Sequence, residues 1–106
     1  MQDTHAMTEI HDIPDMPALR ARIDDVDRQL MALFAHRHAL IDRAAQIKRG
    51  NGLPARIDDR VEEVAMNARR NADAAGLDPD FYEALWRQLI EAAIAQEDRQ
   101  LNKDRP

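Results

Sequence analysis

Between Asp15 and Gly50 nothing in this chain stops a helix, and one apolar stripe runs the whole way. The stripe reads Leu19, Ile23, Val26, Leu30, Leu33, Phe34, Leu40, Ile41, Ala44 and Ile47, the spacing of a single helical face at ~100° per residue. Asp15 sits where a cap belongs and Pro17 falls in the first turn. Gly50-Asn51-Gly52 and then Pro54 end the run near Arg49. The result is a helix of about 33 residues and ~50 Å. A compact domain of about 100 residues has a radius of gyration of only ~13 Å. The rest of the chain is too small to cover such a helix, so the stripe calls for a partner. A symmetric homodimer with paired long helices is the simplest one.

Two cations interrupt the stripe. Arg37 and Lys48 fall within about 20° of its centre, eleven residues apart, which is ~16 Å along the axis. Burying a guanidinium and an ammonium costs several kcal/mol each unless an anion meets them. If the chain's own acids supply it (Asp27, Asp58, Asp59, Glu62, Glu91, Glu97), the cations are structural ion pairs. If solution supplies it, they mark a binding site. Arg20 lies ~100° round from Arg37 and ~25 Å away, so it serves the same pocket only from an antiparallel partner.

Two more helices follow. One runs from about Ile57 to Ala75 with a weak apolar side (Val61, Val64, Ala65, Ala68, Ala72) and Arg60 at its edge. The other is announced by Asp78-Pro79, a cap followed by proline at the first helical position, and continues to Leu101. On it, Glu97 lies within ~40° of Trp86, Ile90 and Ala93 and so points inward. Tyr82 and Trp86 are expected in the core, His36 and His38 on the surface. The fold class is all-α: a chain of three helices, one very long. Residues 1–15 read as a disordered N-terminal tail and 16–106 as the helical domain.

Composition narrows the chemistry. The chain has no Cys and no Ser, and its two threonines, Thr4 and Thr8, are in the tail. A thiolate nucleophile and a cysteine metal site are therefore excluded, and a hydroxyl nucleophile of the Ser or Thr type almost so. No metal site is assigned, the tail histidines His5 and His11 reading as solvated residues. A net charge of −5 argues against a nucleic-acid partner. No apolar run reaches membrane-spanning length, and the N-terminus lacks a signal-peptide stretch. The expected location is the cytoplasm.

The segment Leu19-Arg20-x-x-Ile23-x-x-x-Asp27-x-x-Leu30-x-x-Leu33-x-x-x-Arg37 resembles the opening of the all-helical chorismate mutases. The likeness continues through Lys48, Pro54, Asp59-Arg60 and Gly76-Leu77-Asp78, over about residues 17–101. Arg20, Arg37, Lys48 and Arg60 at these intervals are its specific part. The resemblance implies an intertwined homodimer with two shared active sites and no cofactor. It implies a small dianionic substrate, chorismate, rearranged to prephenate in the shikimate pathway of aromatic amino acid biosynthesis. Arg37 and Arg60 would act within their own subunit, Arg37 gripping one carboxylate, and Arg20 would cross from the other subunit to grip the second. Lys48 would donate to the ether oxygen, and Glu97, where many relatives have Gln, would face that same oxygen. Ala93 would lie on the substrate-binding wall. No fused allosteric domain is expected.

The inventory suits an intramolecular Claisen rearrangement, which needs no nucleophile, metal or redox group. Clamping both carboxylates selects the compact conformer. A preorganised Lys48 stabilises charge that grows on the ether oxygen. An ionised Glu97 would repel that charge, whereas a protonated one donates. A neutral Glu97, a rate rising towards acidic pH and a flat profile in Glu97→Gln are therefore expected. Ile57 and Val61 replace acids that several relatives place near the ring hydroxyl. Isochorismate-pyruvate lyases, which share the scaffold and an apolar residue at the Val61 position, are thus the alternative. Amino-deoxychorismate mutases are a third possibility. The competing class is a non-catalytic helical dimerisation module in which Arg37 and Lys48 pair with Glu97 and Asp59. A cavity with converging cations and few acids favours an enzyme; mutual ion pairs without a cavity favour the module.

Overall fold

The computed structural model describes residues 9–103, and its regular structure is helical throughout. Among the described residues the long helices are α1 (Met16–Asn51), α2 (Asp58–Ala74) and α3 (Pro79–Leu101). No helix of the described residues is long and apolar enough to cross a membrane. The chain divides into two compact units, Met1–His36 and Arg37–Pro106.

In the first unit Asp15 caps α1, its carboxylate accepting from the Ala18 N–H at 2.9 Å. Of the tail anticipated over residues 1–15, residues 1–8 lie outside the described residues. Residues 9–11 form a helical turn, and Glu9 pairs with Arg22 at 3.0 Å. The apolar stripe of this unit faces outwards: Ile23, Val26, Leu30 and Leu33 are 46–63% exposed.

In the second unit, α2, α3 and the segment before α2 enclose a small core. Ala55, Ala65, Ile90 and Ile94 are buried, with Val61, Val64, Met66 and Leu101 packed on them. The buried residues of α2 are all alanines, Ala65, Ala68 and Ala72. This 3-and-4 spacing is one helical face, and Ala65 on it packs in one cluster with the larger Ile90 and Ile94 of α3. Trp86, expected in the core, is only half-buried. It keeps its expected helical phase, but the opposite wall is a pocket rather than packed side chains.

Both inter-helix turns close in the same way. Gly52 (φ 68°) and Gly76 (φ 76°) adopt the left-handed conformation. Each is followed by a leucine whose N–H closes back on the helix, Leu53 to the Lys48 carbonyl at 2.9 Å and Leu77 to the Ala72 carbonyl at 2.8 Å. Asp78 then caps α3, accepting from the Asp80 N–H at 3.0 Å with Pro79 at the first position. Helix α2 begins without a side-chain cap at Ile57, but Asp58 and Asp59 occupy its positive end. Helices α2 and α3 are also stapled by charge. Arg87 holds Glu62 through two bonds of 3.0 Å and Glu83 through one of 2.8 Å, and Arg69 holds Asp80 and Glu83 at 2.7 and 2.9 Å.

Candidate active site

A pocket of about 540 Å³ opens in the second unit, lined by residues from Arg37 to Glu97. That volume suits a small organic ligand. Its floor is apolar: Leu40, Ile41 and Ala44 of α1, Val61 and Val64 of α2, and Ile90, Ala93 and Ile94 of α3. Arg37, Lys48 and Arg60 supply three cations to the lining, and Glu97 is its one acid.

The three cations differ in how far they are neutralised. Arg37 is half-buried and has no acidic partner among the described residues. Burial, and secondarily the charge of Arg60, lowers its pKa below the ordinary guanidinium value. That combination marks a cation desolvated without an anion. Lys48 is different: its Nζ lies 2.8 Å from Glu97 Oε1 and donates to the Ala55 carbonyl at 2.8 Å. The side chains of Lys48 and Glu97 are only 16% and 7% exposed. The contact is a charge pair rather than an aligned hydrogen bond, and the buried Glu97 Oε1 receives no hydrogen bond. Arg60 turns along its own helix to Glu63 at 2.6 Å, with 63% of its side chain exposed. A pair so exposed contributes little and leaves the guanidinium free to exchange partners.

Of the residues singled out in the sequence, Arg37, Lys48, Ile57, Arg60, Val61, Ala93 and Glu97 all line this pocket. Arg20 does not; it is exposed on α1 in the first unit. Lys48 and Glu97 pair as a structural module requires, but Arg37 meets neither Glu97 nor Asp59, and a cavity stands beside it. Glu97 lies within ion-pair distance of Lys48, and both side chains line the pocket.

Asn67, Asn71 and the Ala55 carbonyl also belong to the site and were not anticipated. Arg60, Val64, Asn67 and Asn71 follow one another at spacings of four, three and four. Extending the Arg60 face along α2 would have found both amides. A backbone carbonyl leaves no mark in a sequence.

The family described as Chorismate mutase type II matches residues 19–98. A T-protein of Enterobacter agglomerans is 31% identical over 85 residues, covering 80% of this chain and 23% of that protein. A T-protein of Haemophilus influenzae is 37% identical over 81 residues, covering 76% and 22%. A 4-amino-4-deoxychorismate mutase of Streptomyces pristinaespiralis is 32% identical over 83 residues, covering 78% and 64%. The chain thus spans less than a quarter of the length of the two T-proteins.

Proposed function

The chain belongs to the chorismate mutase type II family, and from that premise we propose that it catalyses the Claisen rearrangement of chorismate to prephenate. The observation that carries this reading is Arg37: half-buried, without an acid of its own, and facing a pocket that also holds Lys48 and Arg60. A dianion from solution supplies the charge the protein withholds. Arg37 grips one carboxylate with its planar fork. Arg20 reaches the second from the partner subunit, and Arg60 turns from Glu63 to add charge at the rim. The apolar floor excludes water and favours the folded substrate conformer. Lys48, already held by the Ala55 carbonyl, turns a remaining N–H to the ether oxygen as its bond to carbon breaks. Charge grows on that oxygen only on the way to the transition state, so the contact lowers the barrier more than it strengthens substrate binding.

The shared site requires a homodimer. The exposed stripe Ile23, Val26, Leu30 and Leu33 supports one, since water contact with so much aligned apolar surface is unfavourable.

A second reading is favoured by Ile57 and Val61, which give that part of the lining no acid to accept from a ring hydroxyl. Under it the same cations take isochorismate and eliminate pyruvate. The named Streptomyces relative adds an amino-substituted substrate. Incubation with chorismate, isochorismate and 4-amino-4-deoxychorismate in separate reactions, with product identification by mass and ultraviolet spectrum, decides among them. Prephenate from chorismate is the expected result. Turnover of none of the three, with intact helical circular dichroism, would leave the module reading in its place.

A further inference from the structure

From Arg37 onwards α1 carries two stripes. Arg37, Ile41, Ala44 and Lys48 line the pocket. About 100° round the helix, His38, Asp42, Ala45 and Arg49 form a seam that meets α3. Gln96 Nε2 donates to the His38 carbonyl at 2.9 Å and to Asp42 Oδ1 at 2.8 Å. Gln100 Nε2 lies 3.5 Å from the same Asp42 oxygen, and Arg49 donates to the Gln100 carbonyl. Ala45, at the middle of the seam, is 1% exposed.

An alanine on a buried helix face resists rotation poorly, because its methyl presents no ridge. Direction comes from the hydrogen bonds beside it. Gln96 is 8% exposed, so the surrounding protein rather than water must satisfy its amide. Both oxygens it meets are acceptors, which fixes the amide with its nitrogen towards α1. The consequence reaches the pocket. A rotation of α1 by ~20° moves a group at the ~5–6 Å side-chain radius by ~2 Å. A displacement of ~1 Å is enough to cost up to ~10²-fold where geometry matters.

We propose that Gln96, through Asp42 and the His38 carbonyl, is a positioning residue that sets the rotation of α1 at which Arg37 projects into the pocket. Gln96 does not line the pocket itself. Its grip is on the residue next to Arg37 and on the turn that follows. Lys48 has independent anchors in Glu97 and the Ala55 carbonyl. Loosening the clasp therefore displaces Arg37 more than Lys48, and the loss falls on substrate capture rather than on the chemical step.

The kinetic form of the test rests on the mutase reading; its spectroscopic form does not. In Gln96→Leu, KM for chorismate rises about tenfold while kcat stays within about threefold of the parent. Asp42→Asn keeps the accepting oxygen and leaves both parameters unchanged. Asp42→Ala, which spares the His38 bond, raises KM about threefold and serves if Gln96→Leu does not fold. In nitrogen–proton spectra the Arg37 Nε–Hε resonance shifts in Gln96→Leu and Asp42→Ala and stays in place in Asp42→Asn. If the parent turns over no chorismate, the mutase reading fails and the Arg37 resonance still decides. An unmoved resonance, an unchanged KM, or a fall confined to kcat in the folded variants would overturn the proposal.

Discussion

Arg37 and Lys48 occupy the same stripe and have opposite energetics, which gives their removal opposite signatures. Arg37 is desolvated, sits near a second cation and has no acid to lose. Arg37→Ala should lower kcat/KM by about 10²–10³-fold while leaving the urea midpoint unchanged or slightly raised. A large drop in the midpoint would contradict the unpaired state. Lys48 is one half of a buried charge pair. Lys48→Ala strands Glu97 and should cost ~3–5 kcal/mol of stability in addition to activity. Lys48→Met combined with Glu97→Leu should recover most of that stability without restoring turnover. Glu97→Gln tests the acid separately. It removes a carboxylate from beside the ether oxygen, so the rate at neutral pH should rise, and an unchanged or lower rate would remove that repulsion from the account. The position of these cations was legible in the sequence, because helical periodicity reports which residues share a face. The sequence offered Glu97 and Asp59 as internal partners for Arg37 and Lys48 but did not single out which cation is neutralised from within. The match of Lys48 to Glu97 depends on a crossing between segments far apart in the chain, and periodicity carries no information about partners.

The elements themselves were legible nearly to their ends because their signals are local. Asp15, Gly52, Gly76 and Asp78-Pro79 each act within a few residues of a helix terminus. The cost of replacing Gly52 is conformational rather than steric, since a Cβ there meets nothing within 4 Å. Gly52→Ala should therefore destabilise by ~1–2 kcal/mol, and an unchanged thermal midpoint would show that the turn relaxes. The polar links between helices were not legible. Gln96 to His38 and Asp42, like Arg87 to Glu62, joins positions whose proximity exists only after packing. The Arg87 cluster carries a pH dependence. Hydrogen bonds from Arg87 hold the Glu62 and Glu83 carboxyls below the ordinary carboxylate range, Arg69 adding to the effect at Glu83. A depressed folded pKa contributes stability that is complete above the unfolded value near ~4.3. It disappears as pH falls through the folded values. Glu83→Gln should thus lower the urea midpoint at pH 7, and the gap from the parent should close below about pH 4. A gap that is constant across that range would remove charge from the explanation.

At the scale of the whole molecule the unmet requirement is the same one the sequence announced: apolar residues on the first half of α1 that this chain leaves in water. Leu30 and Leu33 are 46% and 63% exposed, as aligned members of one stripe. If a second copy covers them, folding and association are linked, and the thermal midpoint rises with protein concentration. Leu30→Asp should abolish that dependence. The stronger test concerns the site, because Arg20 and Arg37 lie in different compact units of the chain and the proposed pocket draws them from different subunits. Arg20→Ala and Arg37→Ala proteins should each be nearly inactive alone. Unfolded together in equal amounts and refolded, half of the dimers would be mixed. Each mixed dimer holds one site with both arginines and one with neither, so about a quarter of the parent activity should return. Complementation works only if the two side chains enter one pocket from two chains. If Arg20 and Arg37 served a site within one chain, every site in every refolded species would lack one of them, and the mixture would stay as inactive as its components.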